Sequence, residues 1–320
     1  MKVLVTDYVF EHLDVERSVL EPLGAELVEA PGTSEAELVE AVAGADAMLV
    51  CYAKVTRPVV EAAAEAGVKV MSRYGIGFDN IDIDAATERE ILVTYVPDYC
   101  LDDVADHAMT LLLSLARGAH HAALGVREGE WVVHHGEVHR LQGRRLALIG
   151  TGGIGRRMID RAHGFGIEVV GFDPYLDPWD IDAERAETFE EAIADADYIS
   201  LHVPLTDETK HIIDSESMAV MNRAPIVINT ARGPLVAMED LVPALDSGQL
   251  GGVGLDVTEV EPPPADHPLR THPRAILTPH MGFYSVEAVE ELQRRAAEEV
   301  ARALQGHPPD RPVNPDVVKS

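Results

Sequence analysis

The sequence predicts an α/β protein made of two doubly wound parallel-sheet domains, and three observations lead there. At 320 residues the chain is long for one core and short for three. Two series of short Val/Leu/Ile-rich runs alternate with longer amphipathic segments, the pattern of parallel strands covered by helices on both faces. A glycine-rich turn, Gly150-Thr151-Gly152-Gly153-Ile154-Gly155, separates one such strand from the helix after it.

In the first series, Lys2–Tyr8 reads as a strand, His12–Pro22 as a helix and Ala25–Ala30 as a strand. Ser34 with Glu37 forms a capping box for a helix that ends near Gly44. Ala47–Tyr52 is a strand, Pro58–Ala66 a helix, and Val68–Arg73 and Ile91–Val96 the last two strands. A long Ala/Leu-rich helix follows over Asp102–Arg117, then a polar, histidine-bearing stretch from Gly118 to Gly143 with weak periodicity. The second series places strands at Arg145–Ile149, Glu168–Asp173, Tyr198–Val203, Pro225–Thr230, Gly252–Val257 and Ala275–Thr278. Its first helix runs over Arg156–Phe165, and the final helix from about Ser285 to Gln305, stopped by Gly306 and Pro308-Pro309.

Composition excludes several function classes. A hydrophobic content of 46% is ordinary for a globular protein, and no apolar run approaches the ~20 residues that span a bilayer. An acid arrives at Asp7, too early for the apolar stretch of a signal peptide, so a cytoplasmic location is expected. Cys51 and Cys100 sit in no metal or redox spacing and read as buried thiols of a reducing compartment. Fifty-five acids against 26 bases leave a formal charge of −29, which repels nucleic acid and anionic lipid alike. Two origins for that charge stay open: adaptation to high salt, or a soluble acidic protein of an arginine-preferring genome, since only five of the bases are lysines. Loss of fold near ~0.1 M salt, where the Debye length is ~10 Å, is expected only of the first.

The glycine-rich turn follows Leu146–Ile149 and opens a helix whose N-terminus offers free N–H groups to a pyrophosphate. Asp173, 23 residues beyond Gly150, ends the next strand, where an acid hydrogen-bonds ribose hydroxyls and repels a 2′-phosphate. NAD is therefore the expected cofactor, in preference to NADP. Three further strand ends carry functional side chains: Asn229-Thr230-Ala231-Arg232-Gly233, Asp256 through Glu261-Pro262, and Thr278-Pro279-His280. Strand ends of a doubly wound sheet share one crevice. Arg232 offers a planar fork for a carboxylate, His280 can exchange a hydroxyl proton, and Glu261 can fix its tautomer.

These segments, with Ser72-Arg73-Tyr74-Gly75-Ile76-Gly77-Phe78-Asp79-Asn80-Ile81-Asp82 and Val104-Ala105-Asp106-His107-Ala108, closely resemble the D-isomer-specific 2-hydroxyacid dehydrogenase family over nearly the whole chain. Pro97-Asp98-Tyr99-Cys100 and Phe283-Tyr284-Ser285 resemble the branch that contains the C-terminal-binding proteins. The resemblance implies a flavodoxin-like substrate domain of residues 1–98 and 286–320, an inserted Rossmann NAD-binding domain of residues 99–285, an active site in the interdomain cleft, and a homodimer joined by the long helix and the Gly118–Gly143 arm. It implies Arg232, Glu261 and His280 as catalytic residues acting on a D-2-hydroxy acid or 2-keto acid. It implies Gly75, Ile76 and Gly77 as the loop that receives the substrate carboxylate, with Phe283 facing the substrate. Tyr74 is a further candidate for a substrate contact, and Tyr52 for setting selectivity. Cofactor contacts are expected from Gly150, Gly152, Gly153, Ile154, Gly155, Asp173, Pro204, Thr209, Thr230 and Asp256, the last near the nicotinamide carboxamide.

Departures from the family narrow the expectation. Glycine stands at 153 where arginine is frequent, and no arginine lies near Cys51–Tyr52, as it does in relatives that act on 3-phosphoglycerate. The chain also ends at Ser320 without the regulatory domain many of those carry, and Ile76 stands where phosphite-oxidising relatives have lysine, so both substrates are disfavoured. The alternative activity is an NAD(H)-sensing interaction protein of the C-terminal-binding type with little turnover. His134, His135 and His139 suggest a metal, because His135 and His139 share a face if helical. The stretch is glycine-rich with poor periodicity, and a solvated or interface arm with no metal is the preferred reading.

Overall fold

The strands fall where continuous β-branched and aliphatic runs occur, and the order of elements follows from them. In the computed structural model, which describes residues 1–133 and 137–319, the chain begins β1 (Lys2–Val5), α1 (Asp14–Leu20), β2 (Glu26–Glu29), α2 (Glu35–Ala41) and β3 (Ala47–Val50). It continues with α3 (Arg57–Ala66), β4 (Val70–Arg73), α4 (Ile83–Glu88) and β5 (Leu92–Thr94). Then come α5 (Leu101–Ala116), α6 (Ala119–Arg127), β6 (Arg145–Ile149), α7 (Gly153–Gly164), β7 (Glu168–Phe172), β8 (Glu184–Arg185), α8 (Phe189–Ala194) and β9 (Tyr198–Leu201). The remainder is α9 (Ser215–Ala219), β10 (Ile226–Asn229), α10 (Met238–Ser247), β11 (Gly252–Leu255), β12 (Ala275–Leu277) and α11 (Val286–Leu304). Two compact units result, Met1–Tyr99 with the segment from Ser285 onward, and Cys100–Tyr284.

The first unit holds a five-stranded sheet of order β2-β1-β3-β4-β5, all parallel, which is the flavodoxin-like order. Alternate residues of its strands feed two apolar layers. Leu4, Met48, Val50, Met71 and Val93 pack with Leu38 of α2 and Val59 and Val60 of α3 on one face. Val3, Val5, Ala47, Leu49 and Val70 pack with Leu20 of α1 and Leu292, Ala296 and Val300 of α11 on the other. Both layers are buried, so these strands show no polar face. The Ser34–Glu37 capping box forms at the start of α2, and Ser285 caps α11 by accepting from the Ala288 N–H at 3.0 Å.

The second unit holds a seven-stranded parallel sheet of order β12-β11-β10-β9-β6-β7-β8, a Rossmann arrangement whose order reverses beside β6. Ala147, Ile149, Ile199, Val227 and Leu255 face α8 and α10 on one side. Leu146, Leu148 and Ile228 face α5 and α7 on the other. Helix α5 buries Val104, Ala105, Ala108, Met109, Leu111 and Leu112, one helical stripe.

The Gly118–Gly143 stretch differs from its reading as an aperiodic arm, because α6 occupies its first third. Gly125 is the one buried residue of α6, so no apolar stripe reveals it in the sequence. His134 and His135 lie outside the described residues. No helix among the described residues is long and apolar enough to cross a membrane.

Candidate active site

All strands of the second unit run in one direction, so their C-terminal ends meet at one edge of the sheet. Gly150, Asp173, Pro204, Thr230, Asp256 and Thr278 all follow strand ends there. At β6 the chain turns through Gly150 into α7. A Cβ on Gly155 would stand 2.4 Å from the Gly150 carbonyl oxygen, so only glycine lets the helix start this close to the turn. Asp173 Oδ2 accepts from the Thr151 N–H at 2.9 Å and the Thr151 hydroxyl at 3.0 Å, while its Oδ1 accepts from the Tyr175 N–H. The acid therefore braces the turn as well as ending β7. After β9, the Thr209 hydroxyl donates to the Pro204 carbonyl at 2.7 Å and shapes that loop. The Thr230 hydroxyl, after β10, is buried without a hydrogen-bond partner. An orphaned hydroxyl, a glycine turn at a helix N-terminus and a strand-end acid on one sheet edge fit a dinucleotide.

Arg232 stands two residues beyond Thr230. The fully buried Asn229 shapes its loop: Nδ2 donates to the Arg232 carbonyl at 2.8 Å and Oδ1 accepts from the Ala231 N–H at 3.0 Å. Gly233 then lets this loop touch the one after β11, since a Cβ there would lie 2.1 Å from the Thr258 carbonyl group. On that second loop the Thr258 N–H donates to Glu261 Oε1 at 3.1 Å. The other oxygen, Oε2, meets His280 Nδ1 at 2.8 Å. His280 has φ 53, a left-handed backbone that histidine rarely adopts, and its N–H donates to the Asp256 carbonyl at 2.8 Å. Asp256 is 2% exposed. Burial pushes its carboxyl up, but hydrogen bonds from His107, Thr278 and the N–H groups of Met281 and Gly282 outweigh this and hold it below the usual range. Phe283 packs edge-on to Tyr284.

Within the first unit, Gly75, Ile76 and Gly77 follow the end of β4. Tyr74 corrects an expectation. Its side chain is 1% exposed, packed in the core, and its hydroxyl donates to the buried Glu16 carboxylate at 2.8 Å. Burial raises the Glu16 carboxyl, against bonds from its own N–H, Tyr74 and Gln293. The Tyr74 ring is thus committed to the core and is not a substrate contact. Tyr52 is partly exposed, with the Arg73 guanidinium 5.8 Å from its ring centre. Asp7, at the end of β1, accepts from the N–H groups of Tyr52 and Ala53, and Asn80 donates to the carbonyls of Cys51 and Ala53. Sequence reasoning assigned no role to Asp7, Asn80, Asn229, His107 or Thr278. Each sits inside a recognised segment; Asn229 bonds its own loop two and three residues on, while the partners of the other four lie on distant elements and no spacing signals them. No group of three or more His, Cys, Asp or Glu among the described residues could hold a metal ion.

Fold and site together define a Rossmann-type dinucleotide-binding protein with an Arg–Glu–His set at the strand ends. The model of the D-isomer specific 2-hydroxyacid dehydrogenase NAD binding domain matches residues 109–282. The glyoxylate reductase of Korarchaeum cryptofilum is 36% identical over 300 residues, covering 91% of this chain and 89% of that protein. The D-3-phosphoglycerate dehydrogenase of Methanocaldococcus jannaschii is 39% identical over 319 residues, 98% of this chain, which spans 59% of that protein's length. A crystal structure of a glyoxylate reductase from Paecilomyes thermophila superposes with a TM-score of 0.88 at 30% identity, covering 98% of both chains. The chain belongs to the D-isomer-specific 2-hydroxyacid dehydrogenase family, and its second unit carries the family's NAD-binding domain.

Proposed function

We propose that the chain is an NAD-dependent dehydrogenase interconverting a small 2-keto acid and the D-2-hydroxy acid. The observation that carries this is the 2.8 Å contact of His280 Nδ1 with Glu261, one loop away from Arg232. Glu261 accepts the Nδ1 proton and so leaves Nε2 as the atom that exchanges a proton with the substrate oxygen. In reduction protonated His280 gives that proton to the carbonyl oxygen, and the neutral ring left behind keeps its Nδ1–H on Glu261. Arg232 binds the substrate carboxylate and polarises the carbonyl, and a carboxylate-receiving role is proposed for the Gly75–Gly77 backbone of the first unit. Gly150, Gly152, Gly153, Ile154 and Gly155 are proposed to take the pyrophosphate, Asp173 the ribose, and Pro204, Thr209, Thr230 and Asp256 the remaining cofactor contacts. NAD(H), when bound, supplies the two-electron redox equivalent.

The proposed partner is a second copy of this chain. Leu124, Val126, Trp131, Val132, Val133 and Val138 leave an exposed apolar run on the segment beginning with α6, which a homodimer would cover.

The test is NADH oxidation with a panel of 2-keto acids, a phosphorylated one included, by wild type and His280→Ala. Turnover of one or a few acids is expected, with a loss of about 10²- to 10⁴-fold in the variant. NADH binding without turnover of any acid would instead indicate a cofactor-sensing interaction protein.

A further inference from the structure

His280 is the residue whose position matters most for proton transfer, yet its backbone stands in a conformation that histidine does not favour. Something must hold it, and the bonds converge on Asp256. The Asp256 carbonyl accepts from the His280 N–H at 2.8 Å. Its Oδ1 accepts from the Thr278 hydroxyl at 2.6 Å and the Met281 N–H at 3.0 Å, and its Oδ2 accepts from the Gly282 N–H at 2.7 Å. Both flanks of His280 are thus tied to one carboxylate. Every one of these donors belongs to the turn being held. The Asp256 backbone is fixed to the sheet by its N–H donating to the Asn229 carbonyl at 2.9 Å, but the direction of its carboxylate depends on a donor from outside the turn. The donor from outside is His107 on α5, whose Nε2 lies 2.9 Å from the Thr278 hydroxyl and 3.2 Å from Asp256 Oδ1. The Thr278 hydroxyl gives its proton to Asp256 and accepts from His107 Nε2–H, so the three groups form one chain. Helix α5 is anchored along its length by the buried stripe from Val104 to Leu112, so the ring extends from a rigid element.

We infer that His107 is a positioning residue for His280: from helix α5 it anchors Asp256 and Thr278, and through them it sets the direction of the His280 ring, while Glu261 sets its tautomer. The His107 ring bonds Thr278 and Asp256, and its effect on His280 passes through the 278–282 turn. The inference rests on the proposed role of His280 in proton transfer, and its test separates the two.

The variants are His107→Leu, which removes the donor, and His107→Gln, whose amide nitrogen can stand near the Nε2 position. For His107→Leu, kcat is expected to fall on the order of 10- to 100-fold, further than NADH affinity falls; His107→Gln is expected to restore most of kcat. A purely structural role would instead lower the melting temperature of both variants with kcat per folded molecule unchanged. Independently of turnover, ¹⁵N-histidine spectra follow the His280 ring, assigned by its loss in His280→Gln. Its signals are expected to shift and broaden in His107→Leu and to return in His107→Gln. If no keto acid is turned over but the His280 signals respond in this way, the enzymatic reading fails and the positioning role stands. Unmoved His280 signals with kcat retained in a folded His107→Leu protein would overturn the inference. Should that variant not fold, Thr278→Val, which removes the hydroxyl linking His107 to Asp256, answers the same question by the same spectra, and unmoved signals there overturn it equally.

Discussion

Cys51 shows how much one side chain's chemistry depends on where its strand ends. It follows β3 and is 3% exposed. Burial pushes the thiol from its ordinary 9.0 up to about 12, against the pull of the nearby Arg73 guanidinium. The raised value means the native state keeps the proton that the unfolded chain gives up. Its contribution to stability is therefore fully present below pH ~9 and is lost as pH rises toward 12. Reactivity follows the same sign, because only the thiolate is a nucleophile. In native protein at pH 8, Cys51 should resist a thiol-specific reagent and be modified only after denaturant unfolds the first unit. Stoichiometric labelling of native protein at Cys51, located by peptide mapping, would contradict the burial described. The same strand-end logic separates Tyr74 from Tyr52. Tyr74 turns inward because its hydroxyl satisfies the buried Glu16, a partner 58 residues away that no local pattern indicates.

At the scale of elements, the site depends on two loops from adjacent strands, β10 and β11, lying in contact. Gly233 permits it. An alanine there would set its methyl against the Thr258–Glu259 backbone, which no side-chain rotation relieves. Gly233→Ala is expected to cost about 1–3 kcal/mol in stability and to lower kcat/KM far more than it lowers NADH affinity, since it separates Arg232 from Glu261. Thermal melts and cofactor titration beside kinetics check this; a variant with wild-type kcat/KM would show that the close approach is dispensable. The two longest helices were legible by their buried stripe. Helices α5 and α11 are long, with apolar residues on one face, and the sequence marks both. The reading passes over α4, α8 and α9, which have six, six and five residues, too few to show a period, and also α10, whose buried Met238, Leu241, Ala244 and Leu245 are interrupted by Pro243.

For the whole molecule, the −29 charge opposes both compactness and association. If a homodimer forms through the apolar segment after α5, its two copies bring like charges together, and added salt should strengthen it by screening. Sedimentation at low and at ~1 M salt is expected to show dimer favoured by salt, with Trp131→Glu shifting the population toward monomer in both. A Trp131→Glu protein that stays dimeric would place the interface elsewhere. Melting temperature should rise with salt in parallel, and its size distinguishes a high-salt protein from one that is merely acidic.

Sequence alone determined that this chain forms parallel α/β sheets and binds a dinucleotide. It also singled out the strand ends that carry Arg232, Glu261 and His280. Those features are local: periodicity of apolar residues, glycines at a turn, and an acid one strand further on. Tertiary structure decided what lies between them. It set the flavodoxin-like and Rossmann strand orders and the 2.8 Å bond of His280 to Glu261. It likewise converged His107, Thr278 and the turn amides on Asp256. Hydrogen bonds between groups up to 171 residues apart leave no period or spacing in the chain. They form only when the packed layers bring separate strand ends to one edge.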